Sequence, residues 1–318
     1  MLTASVGSGN VHEVTPSDER PARLDVGVVG AGRVGAVLGA ALQRAGHRLV
    51  GVSGVSDASR TRAEQLLPGI PVLAVQEVVA RAELVLLTVP DDALADLVAG
   101  LAVTRTWRAG QLVAHTSGRH GLEVYGSAAD QHILGLALHP AMTFTGTAID
   151  LDRLLDCCFG VTAPEPLRPV AEALVLEMGG EPVWVEEEAR PLYHAALSHG
   201  ANHLVTLVAQ SLQALAAAGV ESPARVLGPL VAAALDNALR SGDAALTGPV
   251  ARGDAGTVAE HLRQLQTLTP DVRPTYVALA RATAERALAS GRLRPQMAAP
   301  LLDILATDPH DPTPRSAE

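Results

Sequence analysis

Leu24-Asp25-Val26-Gly27-Val28-Val29, followed at once by Gly30-Ala31-Gly32-Arg33-Val34-Gly35, decides the fold of this chain. The first six residues are a short, β-branched apolar run, the mark of a strand buried on both faces. The next six place three glycines where such a strand passes into a helix. The helical pattern then runs over 33–45 and stops at Gly46. Gly30 permits the tight turn, Gly32 lets backbone approach a pyrophosphate, and Gly35 lets helix and strand pack closely. The helix N-terminus adds free N–H donors and the positive end of its dipole. A lone Gly-x-Gly-x-x-Gly is weak, but the strand–turn–helix setting makes Gly30, Ala31, Gly32, Arg33, Val34 and Gly35 candidate cofactor ligands.

Outward from this turn the alternation repeats. Strands are predicted over 48–52, 71–74, 84–89, 111–115, 132–138, 157–162 and 182–185, with helices over 58–67, 76–81, 91–102 and 166–178. Alternation of this kind predicts an α/β domain, a doubly wound parallel sheet with helices on both faces. After Glu186 the strand signal ends, and 189–218, 223–240, 255–265, 271–290 and 295–306 read as helices. The expected organisation is a polar disordered tail over 1–23, a dinucleotide-binding domain over 24–187, an all-helical C-terminal domain over 188–306 serving substrate binding and dimerisation, and a Pro-rich tail over 307–318.

Composition narrows the function. The chain has 318 residues, a formal charge of −10 and no lysine, all 24 of its cationic side chains being arginine. This excludes a Schiff-base lysine, a P-loop lysine and a lysine general acid. A net acidic surface repels phosphate backbones, so nucleic acid is not an expected partner. Cys157 and Cys158 are adjacent and can build neither a disulfide framework nor a Cys-x-x-Cys site. No signal-peptide core and no apolar span of membrane length are evident, so a cytoplasmic protein with no membrane partner is expected.

Ligands in open parallel sheets sit beyond the C-terminal strand ends. At the end of the second strand an NAD site usually carries an acid, but here the chain reads Gly51-Val52-Ser53-Gly54-Val55-Ser56. Ser53, Ser56 and Arg60, with Arg62, can instead hold a 2′-phosphate, so NADP is preferred over NAD. Val89 and Pro90 are expected to line the cofactor, and Asp91 to cap the helix that follows. His115, Thr116 and Ser117 can meet a substrate carboxylate or the nicotinamide amide. His139, before Pro140, is either a proton donor near neutral pH or a structural histidine.

The first long C-terminal helix carries His194, Ser198, His199, Asn202, His203 and Thr206. Ser198, His199, Asn202 and Thr206 recur at helical spacing, and polar groups on an otherwise apolar helix need a partner. His199 and His203 also suit a metal by spacing, but no third ligand is evident, so no metal is expected. Thr247, Gly248 and Arg252 lie in a polar loop between helices. Arg252 there is either a carboxylate clamp or the partner of Asp254.

On these motifs, together with His115-Thr116-Ser117-Gly118, Tyr193-His194 through Asn202 and Arg252-Gly253-Asp254, the chain resembles a two-domain Rossmann-like family with a C-terminal helical domain of unknown function. The resemblance spans 25–268. More distantly it is similar to pyrroline-5-carboxylate reductases, ketopantoate reductases and β-hydroxyacid dehydrogenases. That resemblance implies a nicotinamide cofactor, hydride transfer to a small carboxylate-bearing substrate and a homodimer formed through the helical domain. The lysine that supplies the proton in the hydroxyacid and ketopantoate enzymes has no counterpart here. His194 or His199 would replace it, with Asn202 orienting substrate.

The expected activity is therefore an NADP-dependent reductase of a small oxo acid of the 2-dehydropantoate type. Ser117 and Asn202 would position the substrate, and His139 or a histidine of the long helix would supply the proton. An imine reductase similar to pyrroline-5-carboxylate reductase is the alternative, because cyclic imines arrive largely protonated. A dinucleotide-binding sensor or scaffold without turnover is the rival from another class.

Overall fold

The computed structural model describes residues 23–306. The two expected tails lie outside the described residues, apart from Arg23, whose guanidinium pairs with Glu177 at 2.6 Å. The chain divides into two compact units, one up to Ser198 and one from His199.

The first unit is built on a seven-stranded sheet. Its elements are β1 (Asp25–Val29), α1 (Arg33–Arg44), β2 (Arg48–Ser53), α2 (Asp57–Leu66), α3 (Val75–Arg81), β3 (Leu84–Leu87), α4 (Asp91–Val103), β4 (Leu112–His115), β5 (Leu134–Pro140), α5 (Ile149–Arg153), β6 (Cys158–Thr162), α6 (Arg168–Glu177) and β7 (Glu181–Trp184). The strand order is β2-β1-β3-β4-β5-β6-β7. Val26 and Val28 of β1 pack with Leu38 and Leu42 of α1 and Leu174 of α6 on one face. Val29, Val85 and Leu87 pack with Leu94 and Val98 of α4 on the other. Burial on both faces is why these strands read as continuous apolar runs. Each fully buried leucine contributes about 2 kcal/mol.

Two features depart from the sequence reading. The strand expected over 71–74 is reduced to a single bridge between Val72 and Val52. Pro71 has no N–H to donate, so pairing there is limited to the Pro71 carbonyl and the Leu73 amide on either side of Val72. The sheet is parallel from β2 through β5, but β6 runs antiparallel to β5. The connection from Pro140 to Cys158 holds only α5 and a 3-10 turn, so β6 starts at the end of the sheet where β5 finishes. The crossover through α6 then restores a parallel pair between β6 and β7.

The helix α7 (Arg190–Ala217) begins in the first unit and continues into the second. The second unit adds α8 (Pro223–Ser241), α9 (Gly248–Arg252), α10 (Ala255–Leu265), α11 (Val272–Ala289) and α12 (Pro295–Ala306). Its core is Val258 and Leu262 of α10, Val277, Ala280 and Ala284 of α11, and Leu301 and Leu305 of α12. The predicted spans 255–265 and 295–306 coincide with α10 and α12. The five-residue α9, opened by Gly248-Pro249, is too short for periodicity to reveal. No helix among the described residues is long and apolar enough to cross a membrane.

Candidate functional site

The glycine turn is pinned from both neighbouring strands. Ser53 at the end of β2 accepts the Gly30 N–H on its hydroxyl at 3.1 Å and the Ala31 N–H on its carbonyl at 2.7 Å. Thr88, just past β3, donates its hydroxyl to Gly30 O at 2.6 Å. Gly30 has φ +100°, open to glycine but strained for other residues. A side chain on Gly35 would overlap Gly30 O and Thr88 Oγ1, whereas one on Gly32 would meet nothing closer than 3.9 Å. Gly32 is the N-cap of α1 and offers no side chain to cap it. The first N–H groups of a helix lack intrahelical partners, so this end of α1 presents donors and a positive dipole across an open cradle. The arrangement fits a dinucleotide pyrophosphate.

Val89 and Pro90 follow β3 and lead into α4. The N-cap of α4 is Pro90, with no side-chain cap, which corrects the expectation that Asp91 caps this helix. Asp91 and Asp92 instead fill the first turn, where their charge complements the dipole.

His115, at the end of β4, is 0% exposed. One ring nitrogen, Nε2, pairs with Gly121 O at 2.9 Å, and Nδ1 accepts the Ser117 N–H at 3.2 Å. Burial pushes its pKa down to about 3, so it is a neutral brace for the 116–121 loop. Ser117 is buried, its hydroxyl accepting the His120 N–H at 3.1 Å. The Thr116 amide is bonded to Leu87 O at 3.2 Å.

The chemistry-bearing groups that do converge are His139, Tyr193 and His194. His139 Nδ1 and the Tyr193 hydroxyl are 3.0 Å apart, and the His194 ring centre lies 6.1 Å from that of His139. A side chain on Gly118 would meet His194 Cδ2 at 2.7 Å and His139 Nε2 at 2.9 Å, so these groups close on one point at the strand ends. Burial, with the nearby His194 and Arg190, pushes the His139 pKa down to about 4. Burial also raises that of the Tyr193 hydroxyl. Both are neutral near pH 7.

Arg190 was not singled out from sequence, because after three glutamates at the start of a helix it reads as a surface residue. It is 0% exposed. Its guanidinium donates to Thr162 Oγ1 at 2.7 Å and to the carbonyls of Ser117 at 2.9 Å, Ala137 at 3.1 Å and Gly160 at 2.9 Å. It thereby ties the loop after β4 and the middle of β5 and of β6 to the start of α7, one turn before Tyr193 and His194.

The remaining candidates lie in the second unit. His199 and His203 face each other, Nδ1 to Nδ1, at 2.9 Å and line an apolar groove with Leu204, Leu207 and Leu279. Asn202 is exposed and outside that groove. Thr247 is the N-cap of α9, and Gly248 has φ +91°. Asp254 caps α10, accepting the Thr257 N–H at 3.1 Å. Arg252 is exposed.

Residues 11–140 match the profile of a Rossmann-like domain, and residues 157–283 match that of a domain of unknown function, DUF2520. No curated protein matches the chain. A Bacteroides fragilis structure, provisionally assigned as an NADP oxidoreductase, is similar at TM-score 0.70 and 22% identity, over 83% of this chain and 98% of its own. An imine reductase from a Pseudomonas species gives TM-score 0.61 and 19% identity, over 89% and 100%. A pyrroline-5-carboxylate reductase from Coxiella burnetii gives 0.52 and 15%, over 89% and 98%. At these identities the likeness shows the fold.

Proposed function

We propose that this protein is an NADP-dependent reductase of a small imine bearing a carboxylate. The observation that carries the reading is the occurrence, in one sheet, of the uncapped glycine cradle on β1 and the His139–Tyr193–His194 cluster at β5. In the strand order these are three intervals apart, about 14 Å at ordinary strand spacing and within reach of one extended dinucleotide. The activities named for the structural relatives support the same class.

The bound nicotinamide would supply the hydride. Gly32 and the first N–H groups of α1 would hold the pyrophosphate, while Val89 and Pro90 would flank the cofactor. His139 Nε2, on the Gly118 side of the ring, would hydrogen-bond the reacting nitrogen, with Tyr193 fixing the ring from Nδ1. The positive charge of Arg190, which has no carboxylate among its hydrogen-bond partners, favours a substrate that brings one.

An imine is favoured over an oxo acid because its nitrogen arrives with its own proton. The chain holds no lysine, and His139 at neutral pH has only its neutral N–H to offer. The second reading, reduction of an oxo acid of the 2-dehydropantoate type, is supported by the Tyr193 hydroxyl beside His139, a proton source for a developing alkoxide. A homodimer through the helical unit is also proposed, since α8 buries none of its residues within the chain.

The test is NADPH oxidation against cyclic imino acids, cyclic imines lacking a carboxylate, and 2-oxo acids. Turnover of the first set alone supports the proposal. Turnover of oxo acids alone selects the second reading. Tight NADPH binding with no turnover, unchanged when His139, His199 and Asn202 are replaced together, would identify a sensor.

A further inference from the structure

Of the four residues read from sequence as phosphate ligands, Ser53, Ser56 and Arg60 are each engaged elsewhere. Ser53 Oγ accepts the Gly30 N–H, and Ser56 Oγ caps α2 by accepting the Ser59 N–H at 3.2 Å. Arg60 pairs with Asp57 at 2.9 Å and donates to Val55 O at 3.2 Å. The fourth, Arg62, and Arg33 of the glycine turn are not so engaged. Gly146, at φ +77°, lies against both: a side chain there would meet Arg62 Cδ and Nε at 2.7 Å and Arg33 Cγ at 3.0 Å. Neither Arg33 nor Arg62 has an ion pair or a hydrogen bond among the described residues.

Two like charges brought to one turn without an acid repel each other, and a shared anion removes that cost. The acid of that turn is Asp150, which is fully buried. Its oxygens are occupied by the turn itself: Thr145 N–H at 2.7 Å, Gly146 N–H at 2.7 Å and Thr145 Oγ1 at 3.0 Å, with Arg153 at 3.4 Å. Burial opposes its charge, but the hydrogen bonds from Gly146 and Thr145 hold its carboxyl below the usual range. Asp150 therefore fixes the turn as an anion and leaves both guanidiniums uncompensated. Thr145 Oγ1, which donates to Asp150, accepts the Thr147 hydroxyl at 2.8 Å, so both side chains serve to hold the turn.

We propose that Arg33 and Arg62, brought together at the turn Thr145-Gly146-Thr147, form the subsite for the 2′-phosphate of the dinucleotide, with Asp150 as the positioning residue that holds the turn. This rests on the dinucleotide reading above and deepens it. A phosphate monoester is a dianion with three acceptor oxygens, matched by two forks of guanidinium donors. The ribose diol of NAD would call for an acid at the end of β2, where Ser53 stands instead, and Asp57, the first residue of α2, pairs with Arg60 at the surface. Arg62 stands on α2, the helix that follows β2, whose end marks the adenosine ribose in this fold. The pyrophosphate is already provided for by the α1 N-terminus.

The experiment is calorimetric titration of the full chain with NADPH, NADH, adenosine 2′,5′-bisphosphate and 5′-AMP. Arg33 is exposed and Arg62 half-buried, so Arg33→Gln and Arg62→Gln leave the core intact. Each is expected to weaken NADPH and the bisphosphate by about ten- to a hundredfold, the loss of charge-assisted hydrogen bonds. NADH and 5′-AMP should stay within about twofold. Asp150→Asn should lose NADPH selectivity in the same direction. Equal losses for NADPH and NADH would assign the arginines to the pyrophosphate and overturn the proposal, as would no loss for either. A wild-type protein that binds both dinucleotides equally sinks this subsite alone, whereas one that binds neither sinks the reductase reading.

Discussion

The Tyr193 hydroxyl stands 3.0 Å from His139 Nδ1, with the phenol edge-on to the imidazole. The two residues come from the first turn of α7 and the end of β5, and Arg190 holds those elements together from beneath. Tyr193→Phe deletes the bond and keeps the ring that packs over Gly160. If Tyr193 orients His139 toward substrate, kcat should fall by about tenfold to a hundredfold, within the range for positioned proton donors and acceptors. KM for NADPH should be unchanged. A variant with wild-type kcat would remove this pair from the chemistry.

Stability should depend on acid through two buried histidines. Burial is the largest cause holding His115 at about 3 and His139 at about 4, both below the ordinary value of 6.5. Neutral in the fold, each takes up a proton on unfolding below about pH 6.5. Their contribution is therefore present above that pH and is lost as pH falls toward 4 and then 3. Between pH 7 and pH 5 each should cost about 2 kcal/mol. Denaturant midpoints across that range check the slope, and His139→Gln should flatten it by about half.

Arg190→Met leaves the carbonyls of Ser117, Ala137 and Gly160 without their donor in a buried site. Unsatisfied buried acceptors cost about 1–3 kcal/mol each before relaxation, so a loss on the order of 3 kcal/mol is expected in urea unfolding. The same change removes a positive charge that depresses the His139 pKa, so that pKa should rise. Imidazole proton shifts followed by NMR against pH would show it, and an unmoved titration would separate Arg190 from the site.

Much of this was legible in the sequence because it is written in local periods. The run from Val26 to Gly35 fixes strand, turn and helix together, and α10 and α12 begin and end where their apolar spacing says. What was not legible depends on tertiary direction. Nothing in Cys158–Thr162 records that this strand runs against β5. Arg60 and Arg62 are two residues apart on one helix, hence about 200° apart around it, and only packing against Gly146 picks out Arg62. The polar spacing of α7 likewise pointed to His199 with Asn202, whereas the groove takes His199 with His203. Arg190 hides for a similar reason, since charge in a sequence predicts exposure unless carbonyls wait for it.

The glycine turn offers a paired test of binding against folding. Gly32→Ala has room at 3.9 Å and a backbone of φ −72°, ψ −163° that alanine can adopt. It should cost about 0.5–1 kcal/mol of stability, since glycine outranks alanine at an N-cap, while its methyl enters the cradle and weakens both NADPH and NADH. Gly35→Ala overlaps Gly30 O and Thr88 Oγ1 and should cost about 1–3 kcal/mol as well as binding. Thermal melts with dinucleotide titrations distinguish them. Full binding in Gly32→Ala would make the turn purely structural.

The helix α8 has no buried residue, yet Val226, Leu230 and Leu239 are 55%, 66% and 79% exposed along it. An apolar helix left bare is unfavourable in water, and burying three such side chains would recover about 1.5–3 kcal/mol apiece. A second copy of the chain is the proposed cover. Val226→Arg with Leu230→Arg, four residues apart and so on one face of the helix, would place cations in that interface without touching a buried residue of the monomer. Sedimentation should then move from dimer to monomer, with the first unit's affinity for NADPH retained. A wild-type chain that sediments as a monomer at micromolar concentration would show that something else covers α8.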